Sequence, residues 1–229
     1  MPFPQAQLTK ALFAAVAASL CLFSVSCGTL TQPAPDRALF AINPGEPLVS
    51  VASTASTTQP STRMSASTVL EIQRLRVASP YDAQPFVYRM KGDEFRTDYY
   101  NGFIAAPDQL LTGSLIQWES RTGPFSSVVD AASGIPARYV LSGNITALYG
   151  DYADKAAPKA TITLRIFLLD DADANSRIIF QKTYTAAAPI ELGSAESLVK
   201  GFNSAYREIL QQLTTDLRKR FAFTQSAGS

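Results

Sequence analysis

Twice in the second half of this chain, apolar side chains fall on every other position. Tyr139, Leu141, Gly143, Ile145, Ala147 and Tyr149 do so in one run, and Ile162, Leu164, Ile166 and Leu168 in the next, set against Thr161, Thr163 and Arg165. Successive strand residues point to opposite faces, so a period of two marks a strand with one face against a core. What covers that face comes later in the chain. Leu198, Phe202, Ala205, Ile209, Leu213 and Leu217 recur at helical spacing after Ser194, a residue suited to cap a helix N-terminus.

The rest of the folded part reads in the same terms. Residues 69–77 (VLEIQRLRV) form a first strand, and residues 86–90 and 95–99 flank Lys91-Gly92-Asp93-Glu94 as a hairpin. Pro107 opens a helix, where its missing N–H costs nothing, and Asp108 favours the positive end of the dipole. Leu111, Leu115 and Trp118 share one face, Trp118 as a core residue, and Gly123-Pro124 ends the helix. Residues 125–129 and 178–184 are further strands, with a turn at 170–176 before the last. The expectation is an α/β fold, a mixed β-sheet packed by an amphipathic middle helix and a long C-terminal helix. It forms a single domain over 67–223, with 224–229 a disordered tail. Arg218-Lys219-Arg220 falls at the negative end of the last helix, which accounts for the triplet without nucleic acid. Arg74 and Arg76 share one strand face, either solvated or covered by a partner.

Ahead of this domain lies a segment of another kind. After Lys10, residues 11–25 (ALFAAVAASLCLFSV) carry no charge. At about 15 residues the run is shorter than the ~20 a membrane-spanning helix needs, and it reads as an export signal over 1–26. Ser24-Val25-Ser26-Cys27-Gly28 then resembles a bacterial lipobox, with Ser24 where Leu is usual. Cleavage before Cys27 and acylation of its thiol and new amino terminus would make a lipid anchor, since two chains hold a protein stably to a membrane. Gly28 rather than Asp after the cysteine favours sorting to the outer membrane. Cys21, the other cysteine, leaves with the signal, so the mature chain forms no internal disulfide. Residues 27–66 are rich in Ser, Thr and Pro and are expected to form a flexible tether, within which residues 37–42 form either a short strand or a satellite contact on the domain. As a coil, residues 43–66 span about 27 Å; the alternative is a loop packed loosely on the domain.

Composition removes much chemistry. With no histidine, there is no Ser–His–Asp or Cys–His nucleophile and no imidazole metal site. There are 20 Lys and Arg against 19 Asp and Glu, and loss of Lys10 leaves 19 of each, so net charge gives no reason to bind nucleic acid. Asp171, Asp173 and Asn175 begin like a calcium loop, but Ser176 and Lys182 stand where Gly and a bidentate Glu are needed. Asn144-Ile145-Thr146 matches a glycosylation sequon inside a strand, and it is discounted. The chain is expected to be no enzyme and to take no cofactor or metal, with Cys27 its one chemically defined site.

The order of several short segments resembles the ABC-type transport auxiliary lipoprotein family (PqiC-like). They are residues 70–77 (LEIQRLRV), Tyr81-Asp82, Val87-Tyr88-Arg89, Tyr99-Tyr100-Asn101, Pro107 with Leu110-Leu111, residues 123–128 (GPFSSV), residues 139–143 (YVLSG) and Leu168-Leu169-Asp170. Phe103 stands where the family often has Trp. The resemblance spans about residues 69–220 and implies a periplasm-facing outer-membrane lipoprotein without catalytic residues. It further implies partners: an MCE-domain periplasmic protein, ABC-type transporter components and a homo-oligomeric ring. The function it implies is docking or capping a lipid conduit at the outer membrane. The alternative is an outer-membrane lipoprotein that activates a periplasmic enzyme such as a peptidoglycan synthase.

Overall fold

The computed structural model describes residues 36–46, 68–172 and 176–226. Among these residues nine strands and two long helices follow one another: β1 Ala38–Phe40, β2 Val69–Ile72, β3 Arg76–Val77, β4 Pro85–Arg89, β5 Phe95–Phe103, α1 Pro107–Thr122, β6 Ser127–Asp130, β7 Tyr139–Asp151, β8 Lys159–Asp170, β9 Arg177–Pro189 and α2 Ala195–Ser226. This is the expected mixed sheet with a middle and a C-terminal helix. β7 is its axis. On one side it pairs antiparallel with β8, which pairs with β9. On the other it pairs parallel with β2, β3 and β4 in turn along its length. β5 follows β4, and β1 closes that edge.

β8 keeps strict alternation, burying Ala160, Ile162, Leu164, Ile166 and Leu168. The stripe Leu198, Phe202, Ala205, Ile209, Leu213 and Leu217 is buried with them, and α2 packs on β8 and β9. Each such Leu or Ile contributes about 1.5–3 kcal/mol on burial.

β7 departs from the even alternation. Its register with β8 shifts between Ile145 and Ala147, leaving Thr146 exposed. An extra residue in one strand reverses the faces beyond it. Leu148 therefore turns into the core, and Tyr149 packs instead on Tyr81 and Phe95, ring centroids 5.9 and 5.8 Å away. Ala147 and Tyr149 thus do not share the face of Leu141 and Ile145.

The first strand divides in two. Leu75, between β2 and β3, is buried, and its N–H donates to Thr112 Oγ1 on α1 at 3.0 Å. Arg74, in the same break, meets Asp108 at the start of α1, Nε to Oδ2 2.5 Å. It is therefore partnered within the chain, whereas Arg76 stands exposed in β3.

Two boundaries also move. α2 runs through Ser226, into the stretch expected as tail. Part of the expected tether belongs to the domain: β1 pairs with β5, Ile42 is buried, and residues 43–46 strap both helices. The Asn43 N–H donates to Asn203 Oδ1 at 2.8 Å, Arg207 Nε to the Pro44 carbonyl at 2.5 Å, and Arg121 pairs with Glu46 at 2.8 Å.

Candidate functional site

Cys27, the expected acylation site, lies outside the described residues, as do residues 173–175 of the calcium-like turn. Asp171, at the edge of that turn, accepts a hydrogen bond from the Ser176 hydroxyl. Among the described residues no group of three Asp, Glu, Cys or His is placed to hold a metal. No described helix is long and apolar enough to cross a membrane.

Two features stand out instead. The first is a buried carboxyl that the sequence did not single out. Glu119 is 1% exposed in the seam between α1 and α2. It falls one position after Trp118, on the flank of the apolar stripe, where periodicity alone gives no sign that a charge is enclosed. Thr214 Oγ1 lies 2.7 Å from Glu119 Oε1, 3.1 Å from Trp118 Nε1 and 2.9 Å from the Leu210 carbonyl. A hydroxyl has one proton to give. If it goes to Leu210, Thr214 accepts from both the Trp118 N–H and a protonated Glu119. Burial pushes the Glu119 carboxyl up to about 7, against smaller opposing effects of the Thr214 hydrogen bond and the Arg218 charge. Glu119 Oε2 has no hydrogen-bond partner among the described residues. At 1% exposure the group cannot meet a substrate, so its chemistry is that of a helix–helix contact.

Arg218 belongs to the same seam. Its Nη2 and Nε donate to the Thr122 carbonyl at 2.5 and 3.0 Å. The basic triplet does not end its own helix, because α2 continues past it. Arg218 satisfies a carbonyl at the C-terminus of α1, the neighbouring negative dipole end.

The second feature is the β1–β5 edge. Among the described residues, β1 covers positions 101–103 on the outer side of β5. Pro85 faces Gly102 but Val87 faces Thr97, so β5 carries a large bulge between those points. Asp98 builds it: Oδ1 accepts from the Tyr100 and Asn101 N–H groups at 2.8 and 3.0 Å, and Oδ2 from Asn101 Nδ2 at 2.9 Å and the Tyr88 hydroxyl at 2.7 Å. Burial raises the Asp98 carboxyl, but these bonds hold it below its ordinary value. The bulge turns Tyr99 and Tyr100 outward, 68% and 54% exposed, with rings edge to face at 5.2 Å. Leu39 lies opposite Gly102, and the Ile104 N–H donates to the Phe40 carbonyl; both side chains are at least half exposed. In sequence, Tyr99 reads as the end of a hairpin strand, and Tyr100 and Asn101 are marked only by the family resemblance.

Among the described residues, an open surface groove of about 410 Å³ is lined by Lys182, Gln211, Gln212, Thr215, Asp216 and Lys219. A notch between the strap and α1, lined by Asn43, Ser114, Trp118 and Arg121, has about 20 Å³, the space of roughly one water.

These elements define a curled mixed sheet backed by two helices, and solved structures share it. A protein from Xanthomonas campestris assigned to the DUF330 family superposes with a TM-score of 0.61 at 19% identity, covering 75% of this chain and 93% of its own. An uncharacterised protein superposes at 0.59 with 11% identity, covering 80% of this chain and 99% of its own. What the two share with this chain is the fold. No protein-family model matches the sequence, and no curated protein does.

Proposed function

We propose that the chain is an outer-membrane lipoprotein of the ABC-type transport auxiliary family. Acylated at Cys27 and facing the periplasm, it serves as a non-catalytic docking or capping subunit of an MCE-type intermembrane lipid transport system. The observation that carries this reading is the uncharged run of residues 11–25, followed at once by Ser26-Cys27, ahead of a domain whose fold resembles a DUF330 structure. DUF330 is the PqiC-like family, so the fold and the sequence resemblance point the same way. The absence of histidine supports a mechanical role. Acyl chains fix one end and the folded domain offers surface to the transporter.

Cross-linking in cells followed by purification of the acylated protein from detergent extracts tests the role. The expected co-purifying proteins are an MCE-domain protein and an ABC-type permease or ATPase. Recovery of a peptidoglycan synthase in their place would overturn this reading in favour of an enzyme activator. The mass of the purified protein in mild detergent tests the ring, which is expected to give one defined multiple of the protomer.

A further inference from the structure

We infer that the β1–β5 edge, carrying Leu39, Tyr99, Tyr100 and Ile104, rests on the lipid headgroups of the membrane that holds the anchor. This rests on the reading of Cys27 as the acylated residue. The first argument is chain length. Because β1 and the strap are part of the domain, the chain between Cys27 and the fold is at most the ten steps from Cys27 to Arg37, not residues 27–66. Fully extended, those ten residues reach at most about 33–36 Å, and as a coil about 16–19 Å. A folded unit of this length has a radius of gyration of about 16 Å. The coil span is thus comparable to the radius of the domain itself, and the chain enters the domain at β1. The edge formed by β1 and β5 is held against the bilayer, and β9, at the opposite edge of the sheet, faces away.

The second argument is what that edge displays. Tyrosine suits a membrane interface because its ring is apolar and its hydroxyl is wet. Here two adjacent tyrosines are turned out by a bulge fixed by four hydrogen bonds to one carboxylate; along the same edge, exposed Leu39 lies opposite Gly102 and exposed Ile104 follows β5 and bonds to Phe40 of β1. The display is therefore preorganised: the tyrosines need no rearrangement to meet the surface.

The test uses the full mature chain, acylated, in vesicles of phosphatidylethanolamine and phosphatidylglycerol carrying acyl-brominated lipid. Once Cys27 is acylated the chain has no free thiol, so Ile104→Cys and Ile178→Cys each accept a single fluorescent label at an exposed site. We expect the label at position 104 to be quenched about two-fold or more over that at 178, the heavy atoms acting only on probes at the bilayer. Adding Tyr99→Ser and Tyr100→Ser should lower quenching at 104 while the protein stays on the vesicles. Equal quenching at both positions would overturn the inference. So would energy transfer between labels at position 104 that persists as protein is diluted over the vesicles, since it would assign the edge to a second copy. An intact mass of the same sample separates the two failures: acylated protein without quenching at 104 refutes the membrane-facing edge alone, and unacylated protein refutes the anchor.

Discussion

Glu119 sets the pH dependence of this fold. Unfolded, its carboxyl ionises near 4.5, and folded, burial keeps the proton on until about 7. Between those values the folded chain binds more protons than the unfolded one, so stability falls as pH rises. The contribution is complete below about 4.5 and lost by about 7, on the order of 3 kcal/mol across the window. Asp151, Asp170 and Asp216 act in the opposite sense. Burial raises each, but hydrogen bonds from Arg89, from Arg138, and from Lys182 and Tyr184 bring them below their ordinary value. Their contribution is lost as pH falls beneath the ordinary carboxylate range near 3.8. Stability is therefore expected to peak between about pH 4 and 5. Glu119→Gln keeps a neutral group in the seam and should flatten the neutral limb, leaving the variant more stable than the parent at about pH 8 but not at pH 4.5. Urea midpoints across that range check this, and parallel curves would contradict it. Asp98 is the other decisive residue. Asp98→Ala removes the acceptor for two backbone amides and a tyrosine hydroxyl, with an expected loss of about 1–3 kcal/mol. Hydrogen exchange at Tyr100 and Asn101 should accelerate before the core strands open, and uniform acceleration would mean that Asp98 does not hold the bulge.

Among the elements, periodicity identified those with a continuous buried face, β8 and the two helices, and the turn residues Lys91-Gly92-Asp93-Glu94 identified the hairpin. It failed where a local interruption is compensated at long range. The first strand breaks at Leu75 because a threonine one helix away takes its N–H. β7 reverses faces at Thr146 because β8 pairs around an extra residue. β1 looked marginal because three residues show no period, and it is stabilised by pairing with residues 101–103 and by the strap onto α1 and α2. Glu119 and Arg218 gain their meaning from a helix–helix seam between residues about a hundred positions apart, so no local pattern reveals them. Helix α2 carries a related signature in Gly201. A glycine inside a helix ordinarily costs about 1 kcal/mol against alanine. Here a Cβ would stand 2.4 Å from Ile190 Cγ2 and 2.7 Å from Ala160 Cβ, so the glycine permits close approach of helix to sheet. Gly201→Ala is expected to destabilise by about 1–3 kcal/mol despite its better helix propensity. A thermal melt reads this directly, and an unchanged or raised midpoint would show that α2 does not pack so closely.

At the scale of the whole molecule, docking of residues 38–46 changes what the N-terminal stretch can do. With Cys27 as the proposed anchor, ten residues to the start of the domain would keep it nearer the membrane than forty would. The docking subunit proposed above would gain from that restraint, because it limits how far the domain can stand from the membrane. Everything at this scale depends on the thiol of Cys27. The measurement that bears on it most directly is the mass of the N-terminal peptide from protein extracted out of bacterial membranes, beside a Cys27→Ala control. The account predicts a peptide beginning at Cys27 with diacylglyceryl and amide-linked acyl chains, and a control that leaves the membrane fraction or stays uncleaved. A mature peptide that begins elsewhere, or begins at Cys27 without acyl chains, would contradict it.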